Sequence, residues 1–181
     1  MTPAEELKHE HQVILMVLAA GRRKAEEAAQ TKRADKVFFE KTIDFIRNFA
    51  DRCHHAKEEK QLFAKMVERG FSLENGPLAV MLHDHEQGRA WVRAAADALP
   101  AAAAGDAQAV ERFTRSLLSY ITLLEAHIAK EDNILYPMAD RVFTAADQSD
   151  LAAAFARVEK EETGEGVHEK YHQIAHELAG A

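Results

Sequence analysis

Apolar positions recur along this chain at three- and four-residue intervals, the spacing of one face of an α-helix, and short polar or Gly/Pro breaks divide the pattern into helices. Thr2-Pro3-Ala4-Glu5 reads as a helix start, with a Thr cap, proline at the first position and acid in the first turn. That helix is expected to run to about Ala29, its inner stripe being Leu7, His11, Ile14 and Leu18. A second is expected from about Ala34 to Arg69, stopped at Gly70. Its row Ile43, Ile46, Ala50, His54, Glu58, Leu62, Met66 is apolar except at His54 and Glu58, whereas the row Asp44, Asn48, Arg52, His55, Glu59 is polar. Periodicity therefore turns His54 and Glu58 inward and His55 and Glu59 toward water. A third helix starts near Pro77, with His85 on an inner row beside Leu78, Met81 or Leu82, Arg89 and Val92. Pro100 to Gly105 reads as an alanine-rich loop. The fourth runs from about Asp106 to Pro137 or slightly beyond, with Tyr120, Leu124, His127, Glu131, Ile134 and Met138 on its inner row. Pro137 is expected to kink or end it. Two shorter helical patterns follow, at about 145–161 and 166–178, separated by Glu161-Glu162-Thr163-Gly164-Glu165-Gly166.

Two of these helices carry the same local pattern. His54-His55-Ala56-Lys57-Glu58-Glu59 through Leu62-Phe63 is matched by His127-Ile128-Ala129-Lys130-Glu131-Asp132 through Leu135-Tyr136-Pro137. In each, a histidine and a carboxylate four apart share one helix face. An isolated inward histidine is most simply a hydrogen-bonded core residue. Here His11, His54, His85 and His127 come inward from four helices together with Glu58 and Glu131. Two buried carboxylates repel each other and are costly to desolvate unless cations sit between them. The set therefore points to a dinuclear metal site. Imidazole and carboxylate ligands without thiolate suit iron, manganese or zinc, iron giving the sharpest account. Open coordination positions would admit dioxygen or nitric oxide.

Composition narrows the setting. At 181 residues the chain is expected to form a single domain, 1–181, with its core bundle over about 4–140 and a helical extension over about 145–179. A net charge of −7 without any basic run argues against nucleic-acid binding. A single cysteine, Cys53, rules out an internal disulfide and fits a reducing compartment. Neither a signal peptide nor a membrane span is evident, so a cytoplasmic location is expected.

These residues resemble the hemerythrin-like, or HHE cation-binding, family. The resemblance rests on Glu10-His11, His54-His55-x-x-Glu58-Glu59, His85-Glu86-x-Gly88-Arg89 and His127-x-x-x-Glu131-Asp132 with Leu135-Tyr136-Pro137. It implies an all-α, up-down-up-down four-helix bundle, here with additional C-terminal helices, and an oxo-bridged di-iron centre of two iron ions. Carried over, the metal ligands are His11, His54, Glu58, His85, His127 and Glu131, with both glutamates bridging. Two departures stand out. Oxygen-carrying members place a second histidine on the third helix, where this chain has Met81, and an aspartate on the fourth, where Asp132 competes with Glu131.

The function expected is a protein that binds or senses dioxygen or nitric oxide, in stress protection or iron handling. The alternatives are a di-iron oxidoreductase, consuming peroxide or repairing iron clusters, and an iron- or oxygen-responsive interaction module. For the missing histidine, two expectations compete: His168 of the last helix supplies an imidazole or Tyr171 a hydrogen bond, or that helix only covers an apolar flank.

Overall fold

The computed structural model describes residues 1–164 and 166–180; Glu165, in the break before the last helix, lies outside them. Among the described residues the chain is all-helical, with six helices and no strand. α1 (Pro3–Thr31) is started by a reciprocal cap: the Thr2 hydroxyl accepts from the Glu5 N–H at 3.2 Å, and the Glu5 carboxylate accepts from the Thr2 N–H at 2.8 Å. α2 (36–68) opens on an Asp35 cap and ends before Gly70, whose φ of 95° is the left-handed conformation that glycine adopts without strain. α3 spans Gly76–Ala103, α4 spans 107–142, α5 spans 145–163 and α6 spans Val167–Ala179.

One boundary departs from the sequence expectation. Helix α3 continues through Pro100 to Ala103 instead of stopping in a loop, because Leu99 and Ala102 on that last turn are buried in the core. Tertiary packing there outweighs the missing proline N–H. Pro137 does not end α4. The helix widens into a π-helical turn at Glu131–Leu135 and resumes at Tyr136–Val142. The proline is not the cause, since α2 makes the same turn at Glu58–Leu62 with Ala64 at the matching place. A longer π-helical stretch, Ile46–His55, precedes it.

Neighbours among α1 to α4 meet through paired side chains. Side chains at 10 and 11 of α1 meet 54 and 57 of α2; 51 and 59 of α2 meet 89 and 85 of α3; 84 and 85 of α3 meet 130 and 127 of α4. Helix α4 returns beside α1, where Arg22 pairs with Glu125 at 2.7 Å. Two apolar clusters form inside. The larger contains Leu18, Phe39, Phe45, Phe49, Phe113 and Ile121; the smaller contains Leu7, Phe63, Met66, Leu78, Met81 and Phe155. Each fully buried phenylalanine contributes about 2 kcal/mol of burial. Between the clusters lies a layer of buried histidines and carboxylates.

α5 and α6 close the sides. α5 sends Leu151 and Phe155 into the smaller cluster and ties Asp147 to Arg69. α6 buries Tyr171, Ala175 and Leu178 in the larger cluster, while the Tyr171 hydroxyl donates to Asp44 at 3.0 Å. No helix of the described residues is long and apolar enough to cross a membrane.

Candidate metal centre

All six residues singled out in the sequence come together in the polar layer. His11, His54, Glu58, His85, His127 and Glu131 are each at most 2 % exposed. The histidines form two pairs: His11 Nε2 lies 2.9 Å from His54 Nε2, and His85 Nε2 lies 2.9 Å from His127 Nε2. Glu131 spans both pairs, with Oε2 3.3 Å from His11 Nε2 and Oε1 3.0 Å from His127 Nε2. Glu58 does the same through Oε2, 3.7 Å from His54 and 3.5 Å from His85.

Every one of these imidazoles is held from behind by a carboxylate. His11 Nδ1 donates to Asp132 at 2.8 Å, His54 Nδ1 to Glu10 at 2.8 Å, His85 Nδ1 to Glu59 at 2.7 Å and His127 Nδ1 to Asp84 at 3.2 Å. A carboxylate acceptor fixes the ring proton on Nδ1 and leaves Nε2 with a bare lone pair. Four Nε2 atoms thus converge with Glu58 Oε2 and both oxygens of Glu131, and apart from these ring nitrogens and each other the three buried oxygens have no hydrogen-bond partner. A cluster made of acceptors alone needs cations or protons to exist in a dry interior.

The ionisation of the layer follows the same physics. Burial disfavours the charged form of His11, yet its hydrogen bonds to Asp132 and Glu131 outweigh that and raise it to about 9. Burial and the charge of Glu131 push Glu58 well above the usual carboxylate range. Burial also raises Glu131, but His127 and His11 overcome it and hold Glu131 well below that range. A cation bound here would therefore compete with protons for these groups.

The layer has an approximate two-fold symmetry that relates α1 to α3 and α2 to α4. Glu10, His11, His54 and Lys57 correspond to Asp84, His85, His127 and Lys130, down to the lysine–carboxylate contacts at 2.7 Å and 2.5 Å. Phe63 stacks on His85 at 6.1 Å between ring centres, as Tyr136 stacks on His11 at 5.6 Å. The symmetry breaks at two points. Tyr136 carries a hydroxyl that donates to Glu58 Oε1 at 2.6 Å and sits 3.3 Å from His11 Nε2. On the other side His55 joins, where α4 has Ile128.

His55 corrects the sequence expectation. It is 5 % exposed rather than solvated, and its ring stacks on His85 with 3.9 Å between centres. The cause is the π-helical run of α2. A wider turn holds more residues, so neighbouring side chains diverge by a smaller angle and His54 and His55 both face inward. The same widening in α4 exposes Ile134 (54 %) and buries Leu135 and Tyr136 instead. Within the polar layer two groups of side chains are suited to hold an ion: His11, His54, Glu58 and Glu131, and His55, Glu58, His85 and His127. Met81 lies in the apolar cluster below.

The last helix covers an apolar flank with His168 at its edge, the second of the two expectations. His168 does not reach the polar layer's centre, but its Nε2 lies 3.3 Å from Glu10 Oε1, the carboxylate whose other oxygen holds His54. Tyr171 bonds to Asp44, remote from the site. Glu59, expected to be idle in water, orients His85 and accepts from Arg89 at 2.8 Å. Replacing it with alanine is expected to cost roughly 10–100-fold in metal affinity at that half of the site, measured by chelator competition. Equal affinities for Glu59→Ala and the parent would refute its supporting role. His9 and His83 are exposed, as expected.

The sequence comparison agrees with this geometry. The chain is 27 % identical over 165 residues to uncharacterized proteins of Mycobacterium tuberculosis and Mycobacterium bovis, covering 91 % of this chain and 64 % of theirs. It thus spans a little under two thirds of the length of the curated relatives it matches. No solved structure matches it. The model of the hemerythrin HHE cation binding domain matches residues 2–139. Those residues run from the cap of α1 to the last turn of α4 and include every side chain of the polar layer's two histidine pairs, so this chain belongs to the hemerythrin HHE cation-binding family.

Proposed function

We propose that the chain is a cytoplasmic non-heme di-iron protein whose α1–α4 form an up-down-up-down four-helix bundle, with α5 and α6 as additions, and that it binds or senses dioxygen or nitric oxide. One observation carries this: Nε2 atoms in two facing pairs, spanned by two buried carboxylates whose inner oxygens find no partner beyond those rings and each other. His11 and His54 would hold one ion and His55, His85 and His127 the other, with Glu58 and Glu131 shared. Seven imidazole and carboxylate side chains exceed what a tetrahedral zinc site uses and suit iron. The bound irons would supply reversible electron transfer and a place for a small ligand. The protein's own part is to exclude water with the two apolar clusters, fix four rings through Asp132, Glu10, Glu59 and Asp84, and keep the Tyr136 hydroxyl beside Glu58.

That hydroxyl favours one alternative, a peroxide-consuming oxidoreductase, because it is a proton-bearing group fixed within the layer. Treating iron-loaded protein separately with nitric oxide and with hydrogen peroxide distinguishes them. A stable spectral change with nitric oxide, and no sustained peroxide turnover, is expected for the binding protein. Continuous peroxide loss over many equivalents would replace that assignment with the oxidoreductase.

A further inference from the structure

The polar layer is closed on the Tyr136 side and opens on the other. A cavity of about 140 Å³ lies between α2, α3 and α4, with His55, His85 and His127 as its floor. Its walls are apolar: Ile46, Val92 and Leu124, with Gly88 on α3 lying against Tyr120 (a methyl group added at Gly88 would meet that ring at 3.4 Å). The volume corresponds to roughly five waters at about 30 Å³ each, more than a diatomic ligand fills.

The polar groups around this cavity are unequally engaged. Asp51 is occupied by Arg89 and His55, and Asp84 by Lys130 and His127. Arg47 and Arg93, from facing positions on α2 and α3, also line the cavity, are exposed, and make no ion pair among the described residues. Deeper in, Tyr120 is 3 % exposed, and its hydroxyl has no hydrogen-bond partner among the described residues. A phenol hydroxyl that faces a cavity without a protein partner is free to donate to a ligand there.

From this arrangement we propose that the cavity is a binding site for a small organic monocarboxylate. Its apolar body lies between Ile46, Val92 and Leu124 over the three histidines, and its carboxylate meets Arg47 and Arg93 and accepts from the Tyr120 hydroxyl. Arginine suits the role because its planar fork matches a carboxylate. The proposal deepens the di-iron assignment, whose second half forms the cavity floor.

Calorimetric titration with benzoate, hexanoate and the uncharged benzamide, on metal-free and iron-loaded protein, tests it. Benzoate or hexanoate is expected to bind, and benzamide to bind at least roughly tenfold more weakly, the cost of a lost charge-assisted contact. The double variant Arg47→Ala/Arg93→Ala, which changes only exposed side chains, should weaken benzoate by a similar factor, and Tyr120→Phe should weaken it severalfold. Val92→Phe, which fills the cavity, should abolish binding. Failure of all three probes overturns the proposal. So does benzoate binding that is insensitive to the arginine and tyrosine changes, and so does binding seen only with iron and unaltered by Val92→Phe, which would put the anion on the metal. Binding by a protein that takes up no iron would sustain this pocket and refute the di-iron assignment; two irons without acid binding would do the reverse.

Discussion

Glu131→Ala is expected to remove both ions, not one. Each Glu131 oxygen faces a different histidine pair, at 3.3 Å from His11 and 3.0 Å from His127, so a single truncation takes a ligand from both halves. Loss of a merely supporting carboxylate costs roughly 10–100-fold in metal affinity; loss of a shared ligand should exceed that at both positions. Glu58→Ala should behave alike, since its Oε2 also faces both pairs. The folded chain should survive, because the two apolar clusters above and below the layer are untouched. His83→Ala, on an exposed face, serves as the control. Iron retained at parental affinity by Glu131→Ala would mean that Glu131 is a core carboxylate and not a shared ligand.

The difference between Glu131 and its neighbour Asp132 shows what the sequence could and could not reveal. Helical period alone placed Glu131 inward, together with His11, His54, Glu58, His85 and His127, and the structure gathers all six. The matched patterns on α2 and α4 already implied a two-fold arrangement, because a repeated His-x-x-x-Glu on facing helices makes two equivalent half-sites. The acids preceding His11 and His85 stand behind His54 and His127, a correspondence that the sequence reading did not draw. Helix limits were also readable from caps and breaks, apart from the turn beyond Pro100, where buried Leu99 and Ala102 prevail over local preference.

His55 was not readable, and the reason is physical. Periodicity arguments assume one helical pitch, and α2 abandons it over Ile46–His55 and Glu58–Leu62. Nothing in the side-chain pattern records an i to i+5 bond. The doubled histidine was visible, but an α-helical count necessarily assigns one of two neighbours to water. The same assumption put Ile134 inward and hid Tyr136, whose position in the repeat is held by phenylalanine in α2. His168 shows a different failure. Its contact with Glu10 depends on how α6 lies across α1 and α2, a long-range placement with no local signature.

Two iron ions per chain, close together, is the central claim, and iron X-ray absorption on protein expressed with iron tests it most directly alongside elemental analysis. The two histidine pairs share both glutamates, so the ions cannot be far apart; shared-ligand metal pairs lie within about 4 Å. Imidazole should dominate the ligand scattering, since five histidines, His11, His54, His55, His85 and His127, face the two positions while two glutamates are divided between them. The account predicts close to two irons per chain, a short iron–iron vector and mixed imidazole–carboxylate ligation, with the vector lost in Glu131→Ala. One iron per chain with no iron–iron vector, in protein given ample iron, would contradict it.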